Sequence, residues 1–187
     1  MKKIISLIFI ALLFGAALQA EDNSGRVNAS REAVKSFFTE LKSALQQALA
    51  TGGPTNAIQV CEEKAPQIAA TLSDQKGWYI GRTSLKTRNH TNEPDDWERS
   101  VLEQFEARRA AGEDPQQLEF SAIVTINGQK RFRYMKAIPT QSLCLTCHGD
   151  NIAPEVIQKI DQLYPGDKAR GFKEGDLRGA FTISQPM

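Results

Sequence analysis

Two stretches of alternating apolar and polar residues flank Asn127-Gly128, and they constrain the fold more strongly than any other feature of the sequence. The first stretch is EFSAIVTI and the second is KRFRYMKAIP. An alternation with a period of two indicates strands that bury one face. Asn-Gly is a preferred pair for the tight turn that joins two antiparallel strands. The sequence therefore predicts a β-hairpin centred on Asn127-Gly128.

Helical periodicity dominates the region before the hairpin. From Ser30, a plausible N-cap, apolar residues recur every three or four positions until Gly52-Gly53-Pro54, which predicts an amphipathic helix. A second helical pattern runs from Ile58 to Leu72, and Pro66 within it predicts a kink or a break. Further strands are predicted at 77–84 and 177–184, and further helices from Pro94 and over 154–164. Long N-terminal helices and an antiparallel sheet together indicate an α+β fold.

The N-terminus has the pattern of an export signal. Lys2 and Lys3 precede an apolar run that ends at Leu18, and the small residues Ala17 and Ala20 stand shortly before Glu21. Such a run is shorter than the roughly 20 residues that a membrane span needs. We therefore expect residues 1–20 to be a signal peptide, so that the mature protein is periplasmic with no stable membrane insertion. Residues 21–29 are polar and predict a flexible arm, and residues 30–187 predict a single domain.

The charge pattern excludes one class of partner. The chain has 23 basic and 22 acidic residues, and it has no basic tract interleaved with aromatic residues. Proteins that bind nucleic acid usually present a concentrated basic surface. We therefore expect no nucleic-acid partner.

The sequence CLTCH places Cys144, Cys147 and His148 in a C-x-x-C-H motif. A thioredoxin-like motif is unfavourable because the pair follows a hairpin rather than the first strand of a βαβ unit. A structural zinc site needs four ligands, and only Cys61 or His90 is available to complete it. A disulfide leaves the adjacent histidine unexplained. The motif is typical of covalent haem attachment, in which both thiols bind the haem and the histidine binds the iron.

Four blocks of sequence carry a family resemblance. They are AIQVCEEKAPQIA, GRTSLKTRNHTNEPDDWE, CLTCHGD and YPGDKARGFKEGDLRGAF. In this order they resemble the Tll-like c-type haem-binding domains, long catalogued as a domain of unknown function. The resemblance implies a PAS-like fold around one haem c attached through Cys144 and Cys147. It also implies His148 as the proximal iron ligand and Cys61 as the ligand on the other side.

Other side chains also compete for the second axial position. His90 stands where the family pattern more often has proline, and it is the main alternative to Cys61. Met135 alternates with apolar neighbours in a strand, which favours a role in the core. Met187 is the last residue of the chain, where fraying is usual. Cys61 is favoured because it is the one thiol that the attachment motif leaves over.

The basic residues Arg82, Lys86 and Arg88 are candidates for pairing with the haem propionates, although a solvated loop face explains them equally well. We expect a low-potential, single-haem electron-transfer protein, because a thiolate ligand stabilises ferric iron. Its redox partner is unknown. The alternative is a haem-based redox or gas sensor that acts through a partner protein. An enzyme such as a peroxidase is a weaker interpretation, because two axial side chains leave no free position on the iron.

Overall fold

The computed structural model describes the backbone of residues 2–187 and the side chains of residues 23–187. The predicted signal peptide, residues 1–20, lies outside the residues whose side chains are described. The helices and strands follow in this order: α1 Lys2–Lys76, β1 Tyr79–Thr83, α2 Asp96–Ala110, β2 Glu119–Ile126, β3 Gln129–Pro139, α3 Leu145–His148, α4 Pro154–Leu163 and β4 Leu177–Pro186. Single 3-10 turns occupy His90–Asn92 and Ser142–Cys144. Among the described residues, no helix combines the length and the apolar character needed to cross a membrane.

The strands form one antiparallel sheet in the order β1-β4-β3-β2. The hairpin predicted at Asn127-Gly128 is confirmed, because these two residues join β2 to β3 with φ angles of 51° and 77°. Two positive φ angles match the twist of the flanking strands, and asparagine and glycine tolerate them best. The α+β class is therefore confirmed, with the sheet formed by the second half of the chain and β1.

Helix α1 consists of two helical segments that meet at Gly53. Gly53 has a φ of 69° and a ψ of −168°, which only glycine adopts easily. The helix end predicted at Gly52-Gly53-Pro54 is therefore confirmed. The alternative of two short helices separated at Pro66 is wrong, because among residues 23–76 Gly53 is the one with non-helical dihedral angles. Ala65 and Leu72 are buried on both sides of Pro66, and this packing offsets the roughly 3 kcal/mol that a helical proline costs.

The flexible arm predicted over 21–29 is also wrong for residues 23–29, which already belong to α1. Ser30, predicted as the helix N-cap, lies inside the helix and donates a hydrogen bond to the Arg26 carbonyl at 2.9 Å. Gln185 on β4 donates to the Ser30 hydroxyl at 2.8 Å and to the Arg26 carbonyl at 3.2 Å. These contacts with the last strand hold the segment in helical form, and they are not visible in the local sequence.

Both faces of the sheet are covered. Helix α1 packs on one face, where Phe37 contacts Phe181 with ring centroids 5.3 Å apart. Helix α2 packs on the other face through a cluster that includes Phe105 and Met135. Helix α4 packs through Val156 against the second segment of α1, and the partly buried Cys147 packs against this third cluster. This third cluster brings the motif of α3 against α1.

Candidate functional site

The C-x-x-C-H motif forms a single compact turn. The 3-10 turn at Ser142–Cys144 continues into α3, so Cys144, Cys147 and His148 lie on adjacent helical positions. The Gln141 backbone N–H donates to Cys144 Sγ at 3.4 Å. Cys144, Cys147 and Cys61 are all free thiols and are partly buried. The two motif thiols are therefore available on one side of a short helix.

Hydrogen bonds define the tautomer of His148. Its Nδ1 lies 2.8 Å from the carbonyl oxygen of Ala169, which can only accept, so Nδ1 carries the hydrogen. Its Nε2 lies 3.4 Å from Nε of Arg178, which can only donate, so Nε2 presents its lone pair. This is the tautomer that a histidine needs to bind a metal through Nε2.

The surroundings of His148 keep the imidazole neutral. Burial lowers its pKa most, and the positive charges of Arg178 and Arg88 lower it further, so that it lies well below its usual range. The hydrogen bond to Ala169 opposes this shift without reversing it. A neutral imidazole is the form that donates an electron pair to a metal.

The loop between α4 and β4 encloses α3. The backbone N–H of Gly171 donates to the Gly149 carbonyl at 2.9 Å, and that of Phe172 donates to the His148 carbonyl at 2.9 Å. The Phe172 ring stands edge-on to the imidazole, with ring centroids 6.3 Å apart. The loop therefore holds both the backbone and the side chain of His148.

Arg88, predicted as a propionate contact, is engaged within the protein. Its Nε donates to Asp167 Oδ1 at 3.1 Å, and its Nη2 donates to the Cys147 carbonyl at 2.6 Å and to the Ala169 carbonyl at 3.2 Å. Asp167 also accepts from Arg170 Nε at 2.7 Å. Arg88 thus ties the motif to the α4–β4 loop, and these contacts give no support for a propionate role.

The other basic residues near the motif differ in burial and in their contacts. Arg82 and Arg178 have no carboxylate within ion-pair distance among residues 23–187. The Arg82 guanidinium lies 5.5 Å from the Phe37 ring centroid, and burial lowers its pKa. Burial, together with the nearby Arg88 and Arg82, lowers the pKa of Arg178 to about 9. Lys86 is exposed, with Nζ 5.3 Å from the Phe172 ring centroid.

Cys61 lies on the second segment of α1, on the side that faces the motif. Burial raises the pKa of its thiol, while the positive charges of Arg82 and Arg88 oppose that change. The Cys61 charge in turn raises the pKa of Cys147, to which burial contributes most. The partly buried Cys147 packs against a cluster that contains Ile58, one helical turn before Cys61 on α1. The fold therefore brings the helix that carries Cys61 to the motif, although 82 residues, from Glu62 to Leu143, separate Cys61 from the first motif cysteine.

The remaining candidate ligands lie elsewhere. His90 is exposed on its 3-10 turn. Met135 is fully buried between the sheet and α2, so its predicted core role is confirmed. Met187 is 48% exposed at the end of the chain. Within residues 23–187, no three Cys, His, Asp or Glu side chains are grouped to hold a metal ion by themselves, which gives the zinc interpretation no support.

Three residues of the site were not predicted from the sequence: Asp167, Ala169 and Arg178. All three lie in the block YPGDKARGFKEGDLRGAF, whose density of charged and glycine residues was the signal available. The pattern of a Gly-rich loop does not show which of its charges turn inward. The contacts with Arg88 and His148 show this only in the folded chain.

Comparison with known proteins identifies the family. No curated protein matches the chain. The crystal structure of the cyanobacterial heme-protein Tll0287 has the same fold, with a TM-score of 0.61 and 24% sequence identity over 85% of this chain and 96% of that chain. The model of the Tll0287-like family matches residues 16–186. Because that match spans nearly the whole sequence, the chain belongs to the Tll0287-like family.

Proposed function

We propose that this chain is an exported c-type cytochrome with one covalently attached haem. Cys144 and Cys147 would form the thioether bonds by adding their thiols across the two haem vinyl groups, and His148 would bind the iron. The observation that carries the proposal is the state of His148, a neutral imidazole whose Nε2 carries the lone pair, which accepts from Arg178 in this structure, beside two free thiols. The solved structure of similar fold is that of a heme-protein, which agrees with this proposal.

The residues around His148 offer positive charges for the haem carboxylates as well as ligands for the iron. Asp167 is paired with Arg88 and Arg170, so Arg82 and Arg178 have no carboxylate partner within residues 23–187. Unpaired guanidinium groups in a desolvated site are unfavourable. The two carboxylates of a haem would supply the missing negative charge, and arginine pairs with carboxylates in good geometry. Arg178 donates only to neutral acceptors, Ser84 Oγ and the Lys86 carbonyl at 3.2 Å each and His148 Nε2. We therefore assign Arg82 and Arg178 as the propionate partners, in preference to Arg88, whose charge Asp167 already balances.

A bound haem supplies a centre that gains and loses one electron. We propose that Cys61 would be the second protein ligand of the iron, because the segment of α1 that carries it packs with α4 against Cys147. A thiolate stabilises ferric iron and lowers the reduction potential. Arg82 and Arg88 favour the anionic form of Cys61 by their charge. The resulting function is electron transfer at low potential with a redox partner protein in the periplasm, after removal of residues 1–20.

The first prediction concerns covalent attachment. When the chain is produced with export and c-type haem maturation, the purified protein is expected to carry one haem that remains bound after acid–acetone extraction, because denaturation does not break thioether bonds. Mass spectrometry measures both the added haem and the mature N-terminus, expected within a few residues of Glu21. The double change Cys144→Ala and Cys147→Ala is expected to release the haem.

Cys61→Ala is the matched control, because it removes a thiol from the same site and leaves both attachment residues in place. It is expected to retain the haem through extraction. A wild-type protein without haem mass after proper maturation contradicts the proposal. Absorbance spectra with carbon monoxide then separate the two functions: no binding to the reduced protein supports electron transfer, and ready binding supports the sensor alternative.

A further inference from the structure

We propose that Asp167 and Arg88 are positioning residues for His148, which hold the Ala169 carbonyl so that the imidazole presents Nε2 to the haem iron. This inference rests on the proposed function and adds to it the groups that control the iron ligand. It concerns residues that bind neither the iron nor the haem themselves.

The first step of the argument is that Ala169 is held from both sides of its backbone. The Ala169 N–H donates to Asp167 Oδ1 at 2.9 Å. The Ala169 carbonyl accepts from Arg88 Nη2 at 3.2 Å and from His148 Nδ1 at 2.8 Å. Asp167 and Arg88 are joined to each other at 3.1 Å and 3.3 Å. The position of the acceptor for His148 is therefore set by the ion pair.

The second step is that Ala169 needs such support. Residues 164–176 connect α4 to β4 without helix or strand of their own. The carbonyl of a residue in such a loop is not aligned by a repeating hydrogen-bond pattern. The ion pair replaces that pattern, and Arg88 Nη2 extends it to the Cys147 carbonyl at 2.6 Å. One guanidinium thus joins the helix that carries His148 to the loop that orients it.

The third step concerns energy. The side chain of Asp167 is 1% exposed and that of Arg88 is 10% exposed. The free-energy cost of removing both charges from water is about as large as the gain from their attraction. A buried ion pair therefore adds little to the stability of the fold. Groups that orient a metal-binding histidine through its other ring nitrogen typically change metal affinity 10–100-fold when they are removed. The geometry here matches that role.

The experiment compares Asp167→Ala, Asp167→Asn and Arg88→Lys in the haem-loaded protein. Weakening the hydrogen bond at Nδ1 makes His148 a poorer donor to ferric iron, so the reduction potential is expected to rise. A tenfold loss of preference for ferric iron corresponds to about 59 mV for a one-electron couple. Asp167→Asn keeps an oxygen acceptor for the Ala169 N–H, and its shift is expected to be smaller than that of Asp167→Ala.

Glu98→Gln is the matched control. Arg133 and Glu98 form another buried ion pair, at 2.8 Å, but this pair lies under α2 on the other face of the sheet. Glu98→Gln is expected to lower the melting temperature of the protein and to leave the reduction potential of the haem unchanged. The proposal is overturned when the Asp167 and Arg88 variants behave like Glu98→Gln, with lower stability and a wild-type potential.

A second measurement does not depend on the haem. In the unloaded full-length chain, nitrogen-detected NMR of the His148 ring is expected to show the Nδ1–H tautomer in the wild type and a mixture of tautomers in Asp167→Asn and Arg88→Lys. An unchanged tautomer in both variants counts against the positioning role. Failure of the proposed function appears separately, as a wild-type protein that matures without covalent haem. Where Asp167→Ala does not fold, the two conservative variants decide.

Discussion

At the scale of single residues, the hydrogen-bond donors and acceptors around the motif favour one tautomer of His148, the one with its hydrogen on Nδ1. The Ala169 carbonyl and the Arg178 guanidinium each have only one hydrogen-bonding role, so together they select the imidazole tautomer. Cys61, which we propose as the second iron ligand, lies on a different helix, and its chemistry differs from that of His148. A thiolate is anionic and favours ferric iron, whereas the imidazole is neutral.

The residue-scale prediction is that Cys61→Ala changes the iron without releasing the haem. The ferric absorbance spectrum is expected to lose its thiolate character, because alanine offers no donor. The reduction potential is expected to rise, by about 59 mV for each tenfold loss of ferric preference. Spectroelectrochemical titration measures both effects on one sample.

His90→Ala is the control for this change, since His90 is an exposed residue and the competing ligand candidate. It is expected to leave the spectrum and the potential as in the wild type. A Cys61→Ala protein with an unaltered spectrum, together with an altered His90→Ala protein, would assign the ligand to His90 instead.

At the scale of elements, Gly53 decides how α1 reaches the site. The change of direction at Gly53 lets both segments contribute to the cover of the sheet, through Phe37 and Leu72, while Ile58 of the second segment meets α4. A residue with a side chain is strained at a φ of 69° and a ψ of −168°. The break thus depends on the local sequence at Gly53. Its effect on the fold is to bring the helix segment that carries Cys61 to α3.

The element-scale prediction is that Gly53→Ala lowers the free energy of unfolding by about 1–3 kcal/mol, because alanine is strained in this backbone conformation. Urea denaturation followed by circular dichroism measures the difference. The same substitution at Gly25 is the control, because Gly25 is helical and a side chain there meets no atom within 4 Å. Gly25→Ala is expected to raise the stability by up to about 1 kcal/mol. Equal effects of the two substitutions would show that Gly53 is not required for the break.

At the scale of the whole molecule, Glu119 connects α1 to the sheet. This β2 residue accepts hydrogen bonds from Arg31 on α1 and, at 2.7 Å, from the Tyr134 hydroxyl on β3. The hydrogen bond from Arg31 lowers the pKa of Glu119 most, while burial opposes it. A carboxyl whose pKa is lower in the folded state stabilises the protein above its unfolded pKa, and this stabilisation is lost as the pH falls through the folded pKa.

The whole-molecule prediction follows from the lowered pKa of Glu119. The free energy of unfolding is expected to fall as the pH is lowered from about 5 to 3, and Glu119→Gln is expected to make this fall shallower. At neutral pH the substitution is expected to cost up to about 1 kcal/mol, because Arg31 is half exposed and water screens the pair. Denaturation curves at several pH values measure the slope.

Glu40→Gln serves as the control for the pH experiment. Glu40 is exposed on α1 and makes no ion pair among residues 23–187. Its substitution is expected to leave the slope as in the wild type. A Glu119→Gln protein with the wild-type slope would exclude Glu119 from the acid sensitivity of the fold.

The sequence by itself determined the features that depend on a few neighbouring residues. The hairpin follows from the backbone freedom of Asn127-Gly128, and the break in α1 follows from that of Gly53. The start of α2 follows from Asp95 and Glu98, which cap the helix reciprocally. The C-x-x-C-H motif is recognised from the spacing of Cys144, Cys147 and His148 in the sequence. Each of these signals involves short-range sterics or hydrogen bonds, which the local sequence encodes directly.

Only the tertiary structure decided the features that depend on burial between distant segments. The continuity of α1 through Pro66 and through residues 23–29 required packing and hydrogen bonds to the sheet, and Gln185 lies 159 residues from Arg26. The orientation of His148 required the carbonyl of Ala169, 21 residues later, and the ion pair between Arg88 and Asp167 spans 79 residues. A charged side chain in a loop has the same local sequence whether it faces solvent or turns inward. Its role is decided by the partner that folding brings to it, because a buried charge is stable only when it is paired.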